Sequence, residues 1–246
     1  DIWLALQAQS DLRTGRISGA EALIRWNDPE RGPIPPDAFI LQAERAGRIE
    51  AITYWVLERS IEASRQLNRR WHPFHISVNL SARMADHPDL LRRVGEIVAR
   101  HDFDCTLMTF EVTETFSFAN RDLARSNLLG LREMGFRLSI DDFGTGQASL
   151  AYLAEIPSDE IKLDKRFIQA IIRDKRERLI VRTVIKLAHA LGQEIVAEGV
   201  EDRATLDALR RMNCDIAQGY FIGRPVRLED LVDQIDSGAA ARAMHG

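Results

Sequence analysis

The chain of 246 residues is 45% hydrophobic, enough for one large core of the size of a single α/β barrel. It has 33 basic and 37 acidic residues, a formal net charge of −4, which argues against binding to a nucleic-acid polymer, because such binding needs a basic patch. No uncharged apolar run reaches the ~18 residues of a membrane span. Cys105 and Cys214 form no CxxC pair, so we expect a reduced, cytoplasmic setting.

The chain starts at Asp1, without an initiator Met or a signal peptide. We therefore expect one domain, residues 1–246, excised from a longer multidomain protein that could be membrane-anchored. Extended patterns at 2–6 and 17–24, around a turn, predict an opening β-hairpin. Residues 27–36 are expected to form a loop rich in Pro and Gly.

Further strands and helices alternate along the rest of the chain. Strands are predicted at 74–81, 107–112, 136–142, 160–164, 194–197 and 216–220. Helices are predicted at 36–46, 49–68, 90–100, 122–134, near 150–154, 178–191, 204–212 and 228–235. This alternation indicates parallel strands joined by helical crossovers, and about eight strands in one domain favour a closed (β/α)₈ barrel.

The strand at 136–142 ends in two adjacent carboxylates, Asp141 and Asp142, soon followed by Gly144 and Gly146. Carboxylates are costly to bury unless they are paired or bound to a cation. The glycines allow a tight loop and close approach of a ligand to the backbone. A solvated Asp-Asp turn is the alternative interpretation of this stretch alone.

Other predicted strands also end in polar residues. In a barrel these residues meet at one face, where active sites of this architecture lie: Glu21, Asn79, Glu111, Asp141, Asp142, Lys162, Glu198 and Gln218. Carboxylates with an amide oxygen suit Mg²⁺ or Mn²⁺, and two such ions activate water for phosphoester cleavage. Lys162 could hold or deprotonate that water, and Arg25 could bind a phosphate.

Each residue also has a simpler interpretation when it is taken alone. Glu21 could be a surface carboxylate, Asn79 a helix cap and Lys162 an ordinary salt-bridge partner. The conjunction favours a site, because one fold would bring all these residues to one mouth.

The motifs resemble the EAL-domain cyclic di-GMP phosphodiesterases of bacteria over roughly residues 4–226. The resemblance lies in seven motifs in the same order: Glu21-Ala-Leu-Ile-Arg25, Ser77-Val-Asn79, Phe110-Glu111-Val-Thr-Glu114, Asp141-Asp-Phe-Gly-Thr-Gly146, Lys162-Leu-Asp164, Glu198-Gly-Val-Glu201 and Gln218-Gly-Tyr220. It implies a modified TIM barrel with an antiparallel first strand, which agrees with the predicted hairpin. It also implies metal-dependent hydrolysis of cyclic di-GMP to linear pGpG.

The resemblance further implies roles for individual residues. Two Mg²⁺ or Mn²⁺ ions, with Ca²⁺ inhibitory, would be held by Glu21, Asn79, Glu111, Asp141 and Asp142. Catalytic residues would be Lys162, Glu198, Glu21 and Glu114, the last as an anchor for the 142–149 loop. Substrate contacts would be Gln7, Leu23, Arg25, Asn79, Asp164, Glu201 and Gln218. A homodimer and an N-terminal sensory or cyclase domain in the parent protein are also implied.

Two segments depart from the family pattern. Leu6 and Ala8 replace a Tyr and a Pro around Gln7, and Gln147 and Ala148 replace Tyr and Ser in the loop after Gly146. A catalytically weak or inactive cyclic di-GMP receptor or interaction module therefore stays open as an alternative. A barrel hydrolase for another phosphoester is a third hypothesis, because a fold alone does not fix chemistry.

Overall fold

The structure is a computed structural model that describes residues 1–113, 120–144 and 158–238. Its strands are β1 (Ile2–Asp11), β2 (Arg16–Asp28), β3 (Gly32–Ile34), β4 (His75–Asn79), β5 (Met108–Thr113), β6 (Arg137–Phe143), β7 (Glu160–Leu163), β8 (Glu194–Ala197) and β9 (Ile216–Gln218). Its α-helices are α1 (Pro36–Arg45), α2 (Ile49–Asn68), α3 (Ala82–Ala85), α4 (Leu90–His101), α5 (Arg121–Glu133), α6 (Lys165–Ala170), α7 (Lys175–Ala190), α8 (Arg203–Arg211) and α9 (Leu228–Asp236). Within these ranges, no helix is both long enough and apolar enough to span a bilayer.

The sheet closes into a barrel, as predicted. Its strand order is β1-β9-β8-β7-β6-β5-β4-β2, with β1 paired to β2 to complete the ring and β3 appended to β2. The strand β1 runs antiparallel to both of its neighbours, whereas β2 and β4 to β9 pair in parallel. The fold is thus a TIM-type (β/α)₈ barrel with an antiparallel first strand.

Side-chain alternation divides each strand between two environments. On β5, Phe110 and Val112 are buried toward the helices, and Phe110 lies 4.9 Å from Phe136, centroid to centroid. Thr109 and Glu111 point into the barrel instead. The apolar core therefore surrounds the barrel, while the barrel interior is polar.

Three sequence expectations need correction. Glu21 was expected at the end of its strand, but it lies in the middle of β2. The strand continues to Asp28 because the residues beyond Glu21 still pair with β1 and β3. Its parallel partner β4 pairs only with Gly19 to Ala22, so Glu21 still lies at the mouth of the barrel.

Part of the expected 27–36 loop is β3, and the helices α3 and α6 were not predicted because both are short. The helix expected near 150–154 lies outside the described residues, as does most of the tail from 238.

Candidate active site

Lys162 lies at the centre of a carboxylate cluster, named here the Lys162 cluster. Its Nζ is 2.8 Å from Glu111 Oε2 and 2.8 Å from Glu198 Oε1. It is also 3.2 Å from Asp141 Oδ1 and 3.4 Å from Glu21 Oε2. The Lys162 side chain is fully buried. The barrel thus brings together five residues that the sequence placed at one mouth.

The lysine remains charged in this surrounding. Burial lowers the pKa of Lys162, but the nearby carboxylates, Asp141 and Glu111 foremost, raise it well above its ordinary value. An ammonium donates hydrogen bonds and cannot take up a proton. Lys162 is therefore held as a cation and hydrogen-bond donor in this cluster. That it holds or deprotonates the attacking water stays a prediction.

The carboxylates outnumber this cation. Four carboxylates face one ammonium, which would be an excess of three negative charges if all four were ionised. Burial, and then repulsion by Glu21, raises the pKa of Glu111 well above its usual range. Burial also raises the pKa of Glu198 to about 7, although the Lys162 charge opposes this shift. Such a cluster calls for additional positive charge.

Two amide side chains orient Glu21. Asn79 Nδ2 donates to Glu21 Oε1 at 2.9 Å, and Gln218 Nε2 donates to Oε2 at 2.6 Å. Burial raises the pKa of Glu21. The Lys162 charge and the two amide hydrogen bonds lower it by more, so the pKa of Glu21 lies below its ordinary value. Glu21 is therefore held as a carboxylate with fixed oxygen positions.

A third amide, Gln9, belongs to this network and was not predicted. Gln9 Nε2 donates to Gln218 Oε1 at 2.8 Å, and Gln218 Nε2 also approaches Gln7 Oε1 at 3.3 Å. Gln9 is opposite Gln218 in the β1–β9 ladder. The signal was present in the alternation of β1, which puts Gln7 and Gln9 on one face.

Three carboxylates are grouped as ligands for a divalent ion would be. Oxygen atoms of Asp141, Asp142 and Glu198 all lie within 4.8 Å of one another. In addition, Glu111 Oε1 is buried without a hydrogen-bond partner. An oxygen-only set with a buried unpartnered carboxylate oxygen fits Mg²⁺ or Mn²⁺, so the residues present suit such an ion.

The backbone at Asp142 explains how two adjacent carboxylates reach one site. Asp142 has a positive φ of 55°, and its N–H donates to Asp141 Oδ1 at 2.9 Å. This left-handed conformation turns Asp142 out of the strand alternation, and Asp tolerates it better than most residues. Burial, and then the charge of Asp141, raises the pKa of Asp142.

A groove beside the cluster has the size of a ligand site, with a volume of about 580 Å³. Glu21, Asn79, Asp141 and Asp142 form its polar edge. Two further lining residues, Leu23 and Arg25, follow Glu21 on β2 at positions i+2 and i+4, and so share its face. Its remaining wall is largely apolar, from α1 and α2. Both charged and flat apolar parts of a ligand would find partners there.

Two predicted substrate residues lie apart from this groove. Asp164 caps α6, where its Oδ1 accepts from the backbone N–H of Arg166, and it also pairs with the Arg166 guanidinium at 2.9 Å. Glu201 is exposed, and its carboxylate accepts a hydrogen bond from Gln169 at 2.9 Å. Glu114, Gln147 and Ala148 lie outside the described residues.

Comparison with known proteins adds independent information. The model of the EAL domain family matches residues 1–225. MucR of Pseudomonas aeruginosa, named a bifunctional diguanylate cyclase and cyclic di-GMP phosphodiesterase, is 38% identical over 226 residues, which are 90% of this chain and 32% of MucR. The oxygen sensor protein DosP of Escherichia coli is 37% identical over 232 residues, 93% of this chain and 29% of DosP. The chain thus spans about a third of the length of these relatives.

Solved structures agree with the family match. The PaMucR phosphodiesterase in its c-di-GMP complex superimposes with a TM-score of 0.87 at 37% identity, covering 94% of each chain. An EAL domain protein of Listeria monocytogenes superimposes with a TM-score of 0.85 at 29% identity, covering 96% of this chain and 93% of that one. From the family match over 225 residues and these likenesses, the chain belongs to the EAL domain family.

Proposed function

We propose that this chain is a cyclic-guanylate phosphodiesterase that hydrolyses one phosphodiester bond of cyclic di-GMP to give linear pGpG. The observation that carries the proposal is the convergence of Asp141, Asp142 and Glu198 beside the Lys162 ammonium. MucR, whose name includes this activity, and the PaMucR structure with c-di-GMP bound support the choice of substrate.

The groove suits a cyclic dinucleotide, which combines flat bases with anionic phosphates. Its apolar wall would receive a guanine base, while Leu23 and Arg25 would lie along the ribose-phosphate ring. Arg25 Nη1 donates to the backbone oxygen of Ile24 at 2.9 Å, which leaves its other donors for a phosphate. Gln7, Asp164, Glu201 and Gln218 remain proposed substrate contacts.

We assign the metal-holding role to Asp141, Asp142 and Glu198, together with Glu21, Asn79 and Glu111. When bound, Mg²⁺ or Mn²⁺ supplies positive charge that lowers the pKa of water and neutralises charge on the cleaved phosphate. Two ions per site are proposed, because the ligand set exceeds what one divalent ion needs. Ca²⁺ is proposed to inhibit, since it prefers longer bonds and a looser geometry.

The chain's own residues would orient the reaction. The Lys162 ammonium would donate a hydrogen bond to the attacking water and hold it in line with the phosphate. Asn79 and Gln218 would fix the Glu21 carboxylate, so that the ligand oxygens do not rearrange on binding. Glu114 keeps its proposed role as anchor of the 142–149 loop.

The setting of the domain is proposed from the same family membership. We propose that residues 1–246 form one domain of a longer cytoplasmic or membrane-anchored signalling protein, with a sensory or cyclase domain before it. MucR, named in part a diguanylate cyclase, and DosP, named an oxygen sensor protein, are both about three times as long as this chain. A homodimer is proposed as the active form.

The test is product analysis after incubation with cyclic di-GMP in Mg²⁺, Mn²⁺, Ca²⁺ or EDTA. We expect pGpG with Mg²⁺ or Mn²⁺ only. Asp142→Asn is the inactive control, and Asp122→Asn, on the exposed start of α5, is the matched active control. Saturable binding without product in any metal would instead establish a receptor and refute hydrolysis.

A further inference from the structure

A second polar cavity opens at the opposite end of the barrel, below the Lys162 cluster. Its volume is about 580 Å³. It is lined by Ser77, Thr109 and Glu160, near the amino ends of parallel strands, and by Gln9, near the carboxyl end of the antiparallel β1. Glu160 precedes Lys162 by two residues on β7 and therefore points into the same barrel interior. Nothing in the proposed hydrolysis uses this cavity.

Glu160 is the unusual member of the lining. The residue is 5% exposed, and its Oε1 is buried without a hydrogen-bond partner. Burial raises the pKa of Glu160, and the Arg137 charge and the Ser139 hydroxyl offset this only in part. A carboxylate in such a place is costly unless a positive charge accompanies it.

The other carboxylates that line the cavity already have basic partners within the described residues. Glu194 pairs with Arg137, Asp11 with Arg13 at 3.9 Å, and Asp215 with His189 at 2.8 Å. Glu160 has no ion-pair partner among the described residues.

The remaining cavity residues do not supply that charge. Burial, and then the Arg137 charge, lowers the pKa of His75, so this residue brings no positive charge at neutral pH. Arg210 belongs to α8, where it lies 3.9 Å from Asp207. Among the described residues of this cavity, Glu160 is therefore a buried carboxylate whose charge is offset only in part, by Arg137.

Neutral oxygen atoms line the same cavity as this carboxylate. Ser77 is 4% exposed, and its Oγ has no hydrogen-bond partner. Ser139 is paired with Glu160 in the β6–β7 ladder, and Thr109 with Ser77 in the β4–β5 ladder, so both hydroxyls face the same interior. Gln9 uses its Nε2 on Gln218, which leaves its Oε1 as the free end.

We propose that this cavity binds a small monovalent cation, such as K⁺, Na⁺ or NH₄⁺, on the carboxylate of Glu160 and the hydroxyls of Ser77 and Thr109. Hard cations take oxygen ligands of these kinds. A single negative charge matches a monovalent ion, whereas a divalent ion would retain an uncompensated charge. The cation would stabilise the end of the barrel that is opposite the mouth, on the far side of Lys162.

Thermal unfolding in EDTA tests the proposal without reference to hydrolysis. Each chloride salt is compared with choline chloride at equal ionic strength, because choline is too large for coordination by these oxygens. At a concentration ten times its dissociation constant, one of the three small cations should raise Tm by about 3–5 °C. The rise should vanish in Glu160→Gln and shrink in Ser77→Ala. It should persist in Ser60→Ala, a matched control, because Ser60 Oγ is equally buried and unpartnered but lies on α2.

Anomalous diffraction from crystals soaked in thallium acetate locates the ion, and needs no variant to fold. A Tl⁺ peak beside Glu160 is the expected result. The proposal is overturned by Tl⁺ peaks only at Asp141, Asp142 and Glu198, by no peak, by an equal rise in choline, or by a rise that survives in Glu160→Gln.

Discussion

The Lys162 ammonium lies 2.8 Å from the Glu198 carboxylate, which directly follows the neighbouring strand β8. This pair joins the lysine to the carboxylates that we assign to metal binding. Lys162 is thus an internal counter-ion as well as a donor toward the proposed water. Removing it should affect stability and turnover through separate physical causes.

Lys162→Met should destabilise the metal-free chain by about 3–5 kcal/mol, because it leaves buried carboxylates without their cation. Urea unfolding in EDTA measures this, and added Mg²⁺ should restore part of the loss. Lys186→Met, on the exposed face of α7, is the matched control and should change little. Stability in EDTA equal to that of the wild type would remove the counter-ion role.

The same substitution should lower kcat for cyclic di-GMP by at least about 100-fold with a smaller change in KM, because the proposed hydrogen bond acts in the transition state. Steady-state kinetics at saturating Mg²⁺ measures both constants. A collapse of affinity at nearly normal kcat would make Lys162 a substrate contact instead.

Asp142→Asn should lower turnover by at least about 100-fold and weaken Mn²⁺ binding, because it removes one negative ligand. Asn adopts the left-handed backbone conformation as readily as Asp, so the positive φ of 55° at this position should be kept. Calorimetric titration with Mn²⁺ gives a readout independent of activity. Unchanged Mn²⁺ affinity would exclude Asp142 from the ligand set.

Metal-free stability should depend on pH through Glu198. Its folded pKa of about 7 lies above the ordinary 4.5, so the folded state binds this proton more tightly than the unfolded state. The contribution is fully present below pH 4.5 and is lost as pH rises through about 7, an expected decrease of up to about 3 kcal/mol. Urea unfolding in EDTA at pH 5 and pH 8 measures this.

Glu198→Gln should make that pH dependence shallower, because glutamine has no proton to lose in this range. It should not abolish it, because Glu111 and Asp142 also have raised pKa values. Saturating Mg²⁺ should flatten it as well by stabilising the carboxylate form. An equally steep profile in Glu198→Gln would assign the effect to another group.

Gly219→Ala tests the packing that holds the end of β8 near the cluster. A Cβ at Gly219 would lie 2.2 Å from the backbone N and O of Val200, a contact that requires backbone movement. We expect a cost of about 1–3 kcal/mol in unfolding free energy, with reduced turnover. The control Gly223→Ala meets its nearest neighbours at 3.4 Å and 3.5 Å and should be tolerated. Similar stabilities of the two variants would contradict this packing.

The barrel and most of the Lys162 cluster were predictable because two independent signals agreed. The alternation of strands and helices predicted the barrel, and the position of residues such as Glu111 and Lys162 at strand ends placed them at one mouth. The role of Gln9 was not predictable, since it depends on the β1–β9 register, which connects residues more than 200 positions apart. The environments of Glu160 and Ser77 were likewise not predictable. The sequence of a strand does not show whether an inward polar side chain finds a hydrogen-bond partner.

The extent of β2 illustrates a further limit. Its residues beyond Glu21 have partners on β1 and β3, and pairing with a distant strand decides where a strand ends. Short helices such as α6, which Asp164 caps, carry too few residues to show a period. Tertiary contacts decide such elements, so local patterns alone miss them.

The central claim is metal-dependent attack of water on cyclic di-GMP, and the most direct measurement is mass spectrometry of the product formed in H₂¹⁸O with Mg²⁺. The account predicts pGpG carrying one ¹⁸O atom in its terminal phosphate, and no product in EDTA or with Asp142→Asn. Intact cyclic di-GMP in every metal, or product formed equally well in EDTA, would contradict it.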